Sequence, residues 1–201
     1  GFPIQIDLAA FHGKYHGEKV LLNAYLLGIH YLLNDADMQI IMDAALLHDI
    51  GRTNDEDDST HGLTTAKKIK YYLKSDIYKD QNNLKMIKAI CSAHSMEDKF
   101  MKLNEFDFEL ENCEHERYEK LVSILKDADA LDRLRFHRTS QAALQEKFLR
   151  LDYSKELIEN AKKINLFYTK AINDSYFNEY KHRFLGNPCL RVYHGIGFNF
   201  F

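Results

Sequence analysis

The scarcity of helix breakers constrains this chain more than any other feature. Only two prolines and nine glycines occur in 201 residues. Proline costs a helix interior about 3 kcal/mol and glycine about 1 kcal/mol. A chain so poor in both is expected to be mostly helical. Apolar periodicity places the helices. Residues 17–33 read as a helix that is apolar over much of its surface and therefore buried. A second runs over about 37–50, with Asp35-Ala36-Asp37 as its cap and Gly51 placed to end it. Others are expected over about 61–74, 82–95, 115–135, 141–150 and 154–182, the first of these capped by Ser59 or Thr60. Residues 52–59 form an acidic loop, and 96–114 show no clear period. After Gly186-Asn187-Pro188 the β-branched and aromatic residues read as either a short strand or a packed tail.

The length suits one domain, or one domain with an appended tail. With a formal net charge of -3 and no long basic block, no nucleic-acid polymer is expected as a partner. A local basic pocket could still grip one phosphate group. The cysteines Cys91, Cys113 and Cys189 are odd in number and form no CxxC pair, which fits a reducing, cytoplasmic compartment. No apolar run is long enough to span a bilayer, and the first residues show no signal-peptide pattern. The chain begins with Gly1, which is compatible with a piece of a longer protein. Homo-oligomerisation is equally compatible with the sequence.

Ten histidines are the unusual feature. Four segments place a histidine or carboxylate at or near the end of an apolar helix. They are HGKYHGEKV at 12–20, AALLHDIGR at 44–52, His61-Gly62 with Ala93-His94, and KDADALDRLR at 126–135. Phosphoryl chemistry needs a cation to neutralise phosphoryl oxygens and to lower the pKa of an attacking water. Imidazole and carboxylate together suit Mn, Fe, Co, Ni or Zn better than Mg or Ca. His48 and Asp49 would point about 100° apart on a continuing helix, so they share a cation only at a helix end. A buried, unpaired Asp49 would be costly, which calls for a metal or a salt partner. The bland alternative is a histidine satisfying carbonyls at an ordinary helix C-terminus.

This H…HD…D pattern resembles the HD superfamily of metal-dependent phosphohydrolases, over about residues 12–138. The resemblance implies an all-α helical bundle, here with a C-terminal helical extension (151–201) packed on the same domain (1–150). It implies a divalent metal, one or two per chain, held by His16, His48, Asp49 and Asp129. His16 is chosen because HGEKVLLNA is similar to the family's HxxRVxxxA opening. Asp129 is chosen because Ala128-Asp129-Ala130-Leu131 resembles its AD-x-L, with Asp127 as the competitor. His61 and His94 match the extra histidines of two-metal branches, and would bind a second metal or serve as acid–base groups. Where several branches carry a glutamate, three residues after the HD aspartate, this chain has Arg52. HDIGR resembles branches whose basic residue contacts a substrate phosphate. Arg133 is a second phosphate candidate, and Asp132 could orient a ligand from behind. ILKDADALDRLR together with AHS is similar to the small nucleotide pyrophosphohydrolase branch. No Gly-Tyr-Pro element follows, so a cyclic-dinucleotide phosphodiesterase is not supported. The implied activity is hydrolysis of a phosphate ester or anhydride of a nucleotide-like small molecule. A non-catalytic sensor or scaffold module is the alternative. His12 could share a helix face with His16, the acidic run 55–58 reads as a solvated loop, and Cys91 as packing.

Overall fold

The computed structural model describes residues 13–53, 58–98, 110, 114–136 and 140–173. Among them the α-helices are α1 (Lys14–His30), α2 (Asp35–Leu47), α3 (His61–Lys68), α4 (Gln81–Ala93), α5 (His115–Asp132), α6 (Asp152–Glu156) and α7 (Ile158–Asn173), with no strand. None of these helices is long and apolar enough to cross a membrane.

Local chemistry explains where each helix starts and stops. α1 closes three residues before the expected end. Leu32 takes a φ of 51°, and the Leu33 N–H reaches back 3.0 Å to the Gly28 carbonyl. This is the reverse turn that caps helix carbonyls. The cap of α2 is Asn34, whose side chain accepts the Asp37 N–H at 2.9 Å. Asp35 and Asp37, the expected caps, lie in the first turn instead, where negative charge suits the helix dipole. Asp80 caps α4 by accepting the Asn82 N–H at 2.8 Å. α3 tightens after Lys68 into a single 3-10 turn over Ile69–Tyr71.

Two expectations are corrected. Residues 141–150 are not an α-helix; they hold turns and one 3-10 turn, Glu146–Phe148. Their backbone is anchored instead by buried Asp127, which accepts the N–H groups of Arg150 and Leu151, each at 2.9 Å. The helix expected from 154 is two helices, α6 and α7, broken at Leu157. The expectations for residues 174–182, for the tail from 186 and for His12 lie outside the described residues.

α1 packs against α2 and α5, α3 against α4, and α4 against α2 and α5; α7 lies on α1 and α5. The core between them includes Leu27, Ile40, Ile41, Ile87, Ile90, Leu121 and Leu125, all fully buried. Each such side chain contributes about 1.5–3 kcal/mol of burial. This packing gathers the starts of α1 and α3 and the ends of α2, α4 and α5 into one place.

Candidate metal centre

His48 and Asp49 follow the last residue of α2, so the chain is already turning where they stand. His48 keeps helical backbone angles (φ -55°, ψ -32°), so both side chains reach one place because the cluster lies at the helix end. Thr65 of α3 clasps the turn. Its hydroxyl donates to the His48 carbonyl at 2.6 Å and accepts the Gly51 N–H at 2.9 Å. Gly51 therefore does not end α2, as the sequence suggested. It is required by close approach: a Cβ there would stand 2.5 Å from the Thr65 nitrogen and 2.7 Å from its Oγ1.

The cluster has two halves joined by Asp49. On one side, His16 and His48 meet with their Nε2 atoms 3.1 Å apart, and Asp49 Oδ2 lies 3.4 Å from each. Asp129 Oδ1 completes this side, 3.3 Å from His16 Nε2 and 3.9 Å from His48 Nε2. On the other side, His61 and His94 have Nε2 atoms 2.9 Å apart. Asp49 Oδ1 lies 3.0 Å from the first and 3.5 Å from the second. His16, His48, His61 and His94 are all buried.

The outer ring nitrogens show what the inner ones carry. His48 Nδ1 bonds the Ala45 carbonyl at 2.8 Å, and His94 Nδ1 the Cys91 carbonyl at 2.6 Å. His61 Nδ1 bonds the Asp58 carbonyl. His16 Nδ1 lies 2.7 Å from Asp132 Oδ2. A carbonyl only accepts, so each Nδ1 facing one carries the proton and a neutral ring turns the bare Nε2 lone pair inward. Lone pairs about 3 Å apart and facing carboxylate oxygens repel unless a positive charge lies among them. The donor set therefore fits divalent cations on both sides of Asp49.

The titration of the groups has the same origin. Burial alone would lower His16, but Asp132, Asp49 and Asp129 lift it to about 9. His48 is also raised: burial lowers it, and the Asp49 charge outweighs that. His94 is lowered, chiefly by burial. Removal from water would raise Asp129, yet His16 and His48 hold it below the usual carboxylate range.

A cleft of about 1020 Å³ opens beside the cluster, walled in part by Asp49, Asp129, His61 and His94. Arg52 and Arg133 also line it. Arg52 Nε sits 3.1 Å from Asp49 Oδ1. Arg133 is exposed and has no ion pair among the described residues. Lys126 and Arg150 line the same cleft but are held by Asp98, at 2.8 Å and 2.7 Å. Asp127, the competitor of Asp129, faces away and supports the 150–151 backbone. All nine residues singled out from the sequence thus stand in or beside one cluster. Three supports escaped that reading: Thr65, Arg135 and Lys19. Arg135 carries a spacing signal, lying three residues after the Asp132 it contacts, whereas Thr65 and Lys19 act on His48, Gly51 and Asp132, which are distant in sequence.

The family model of the HD domain matches residues 14–134, more than half the chain, and the chain belongs to that family. No curated protein and no solved structure matches it significantly.

Proposed function

We propose that this protein is a divalent-metal-dependent phosphohydrolase acting on a phosphate ester or anhydride of a small, nucleotide-like molecule. The observation that carries this reading is the Asp49 carboxylate spanning two inward-facing histidine pairs at the wall of a cleft that Arg52 and Arg133 also line. His16, His48, Asp49 and Asp129 would hold one cation, and Asp49, His61 and His94 a second. Bound divalent cations supply neutralisation of phosphoryl oxygens and activation of water. Mn, Fe, Co, Ni or Zn suits the histidine-rich donors better than Mg or Ca.

The chain's own groups do the rest. Exposed Arg133 offers a planar pair of donors to phosphate oxygens at the mouth of the cleft. Arg52 stands beside Asp49, where its guanidinium can bind a phosphate oxygen while keeping its carboxylate contact. His61 and His94 serve better as ligands than as acid–base groups. Their Nδ1 atoms are committed to carbonyls, and their Nε2 atoms face each other and Asp49. In the net reaction the water oxygen forms a bond to phosphorus, the P–O bond to the leaving group breaks, and the leaving oxygen takes up a proton.

The test joins elemental analysis of the purified protein to a screen of nucleotides and generic phosphomono- and diesters. We expect close to two transition-metal ions per chain. Asp49→Ala should lose both, and activity should fall by more than the roughly 10–100-fold typical of residues that only support a ligand. A metal-free but active wild-type chain, or an active Asp49→Ala variant, would overturn the reading.

A further inference from the structure

Behind His16 lies a chain of buried polar groups that does not end in the HD helices. His16 Nδ1 is 2.7 Å from Asp132 Oδ2. The other oxygen, Asp132 Oδ1, is 2.8 Å from Lys19 Nζ. Lys19 Nζ in turn donates to Asn165 Oδ1 at 3.0 Å. Asn165 is fixed on its own helix, where its Nδ2 donates to the Ala161 carbonyl at 3.1 Å. None of the four is more than 9% exposed: His16 4%, Lys19 7%, Asp132 0% and Asn165 9%. Arg135 also contacts Asp132, so this carboxylate gathers donors from α1 and from the turn after α5.

Asn165 belongs to α7, outside the residues 14–134 that define the HD match. A buried ammonium must satisfy its protons: Asn165 Oδ1 accepts a hydrogen bond from Lys19, while Asp132 Oδ1 faces it as an ion-pair partner. Without that acceptor the ammonium has reason to shift, and Asp132 then loses the partner on the oxygen that does not touch His16. The carboxylate fixes both the orientation of the His16 ring and which nitrogen faces inward.

We infer that Asn165 is a positioning residue of the metal centre, and that α7 docking and cation binding on the His16 side are coupled through Lys19 and Asp132. This rests on the metal reading given above. The coupling is reciprocal by thermodynamic necessity: a cation on His16 and His48 tightens α7, and a loosened α7 weakens that cation. On the His61–His94 side the outer nitrogens bond the carbonyls of Asp58 and Cys91 instead of Asp132 or Lys19. The effect should therefore be one-sided.

Co2+ alone serves as the probe, read by calorimetry and by its visible spectrum. His94→Ala isolates the His16 side, and His16→Ala isolates the His61–His94 side. Adding Asn165→Ala should weaken Co2+ about 10-fold in the first background and change its spectrum. In the second background affinity should stay within about twofold. Lys19→Met should reproduce the one-sided loss, and Lys19→Arg should restore most of it. Amide exchange in α7 should slow on Co2+ addition to the wild type and not to Asn165→Ala. Equal affinity with and without Asn165, or equal weakening on both sides, overturns the coupling while leaving the metal centre standing. A wild-type chain that takes up no Co2+ overturns the metal reading and the coupling with it.

Discussion

Asp43 is 7% exposed, and its Oδ2 accepts hydrogen bonds from the Tyr78 hydroxyl at 2.6 Å and the Gln39 amide at 3.0 Å. Burial raises its carboxyl above the ordinary value, and the two donors pull it down only in part. Folding thus favours the protonated form. The stability linked to that proton is complete below the unfolded pKa and is lost as pH rises through the folded one. At neutral pH the carboxylate is a net cost. An asparagine keeps one oxygen to accept both donors and carries no charge to desolvate. Asp43→Asn should therefore be more stable than wild type at pH 7, with the gain shrinking toward pH 4 in urea denaturation. A gain that grows on acidification would refute this account. The contrast with Asp49 is instructive at this scale. Both are aspartates near the end of one apolar helix, but only Asp49 is surrounded by inward-turned imidazoles. Sequence reasoning could separate Asp129 from Asp127 because two residues on a helix face different ways. It could not find Asp98 or the Arg150 it holds, since their contact spans 52 residues and no periodicity encodes it.

The helices themselves were legible from their apolar repeat, and α4 and α5 fall within a few residues of expectation. What the repeat could not encode was termination by groups distant in sequence. Asp127 holds the backbone at 150–151, where Leu149 and Leu151 are extended, a contact across 23 and 24 residues that no local repeat encodes. The α3–α4 pair shows a second such constraint. A Cβ at Gly62 would lie 2.5 Å from the Ser92 carbonyl oxygen and 2.7 Å from that of Cys91. These are backbone atoms in and beside the last turn of α4, so the helices must separate to admit it. That separation acts directly on His61 and His94, which begin α3 and follow α4. Gly62→Ala should cost about 1–3 kcal/mol in denaturant unfolding. It should also lower the metal content from near two to near one per chain, because the His16–His48 pair is carried by α1 and the turn after α2. Full retention of both ions would show that the pair tolerates the wider spacing.

Across the whole molecule, the cluster draws on the ends of five helices, and each end brings a group that prefers water or a cation to its neighbours. Packing of α1, α2, α4 and α5 forces these groups together, and in the cation-free chain the proton on His16 offsets the charge of the surrounding carboxylates. A cation that binds only the folded chain returns stability by mass action, about 2.7 kcal/mol per site when free metal is a hundredfold above its Kd. For a domain of this size each kcal/mol moves Tm by roughly 2–4 °C. Stripping the metal should therefore lower Tm by about 5–10 °C per cation, and adding Mn2+ or Co2+ back should restore it in a concentration-dependent way. The direction with pH follows from His16, which holds its proton up to about 9 in the cation-free chain. A cation must displace that proton, so its stabilising effect should grow as pH rises from 6 to 8 at fixed free metal. Scanning calorimetry of the stripped and reloaded protein at both pH values measures this. A Tm indifferent to metal would mean that the cluster is neutralised by protons alone, and that the histidines are structural.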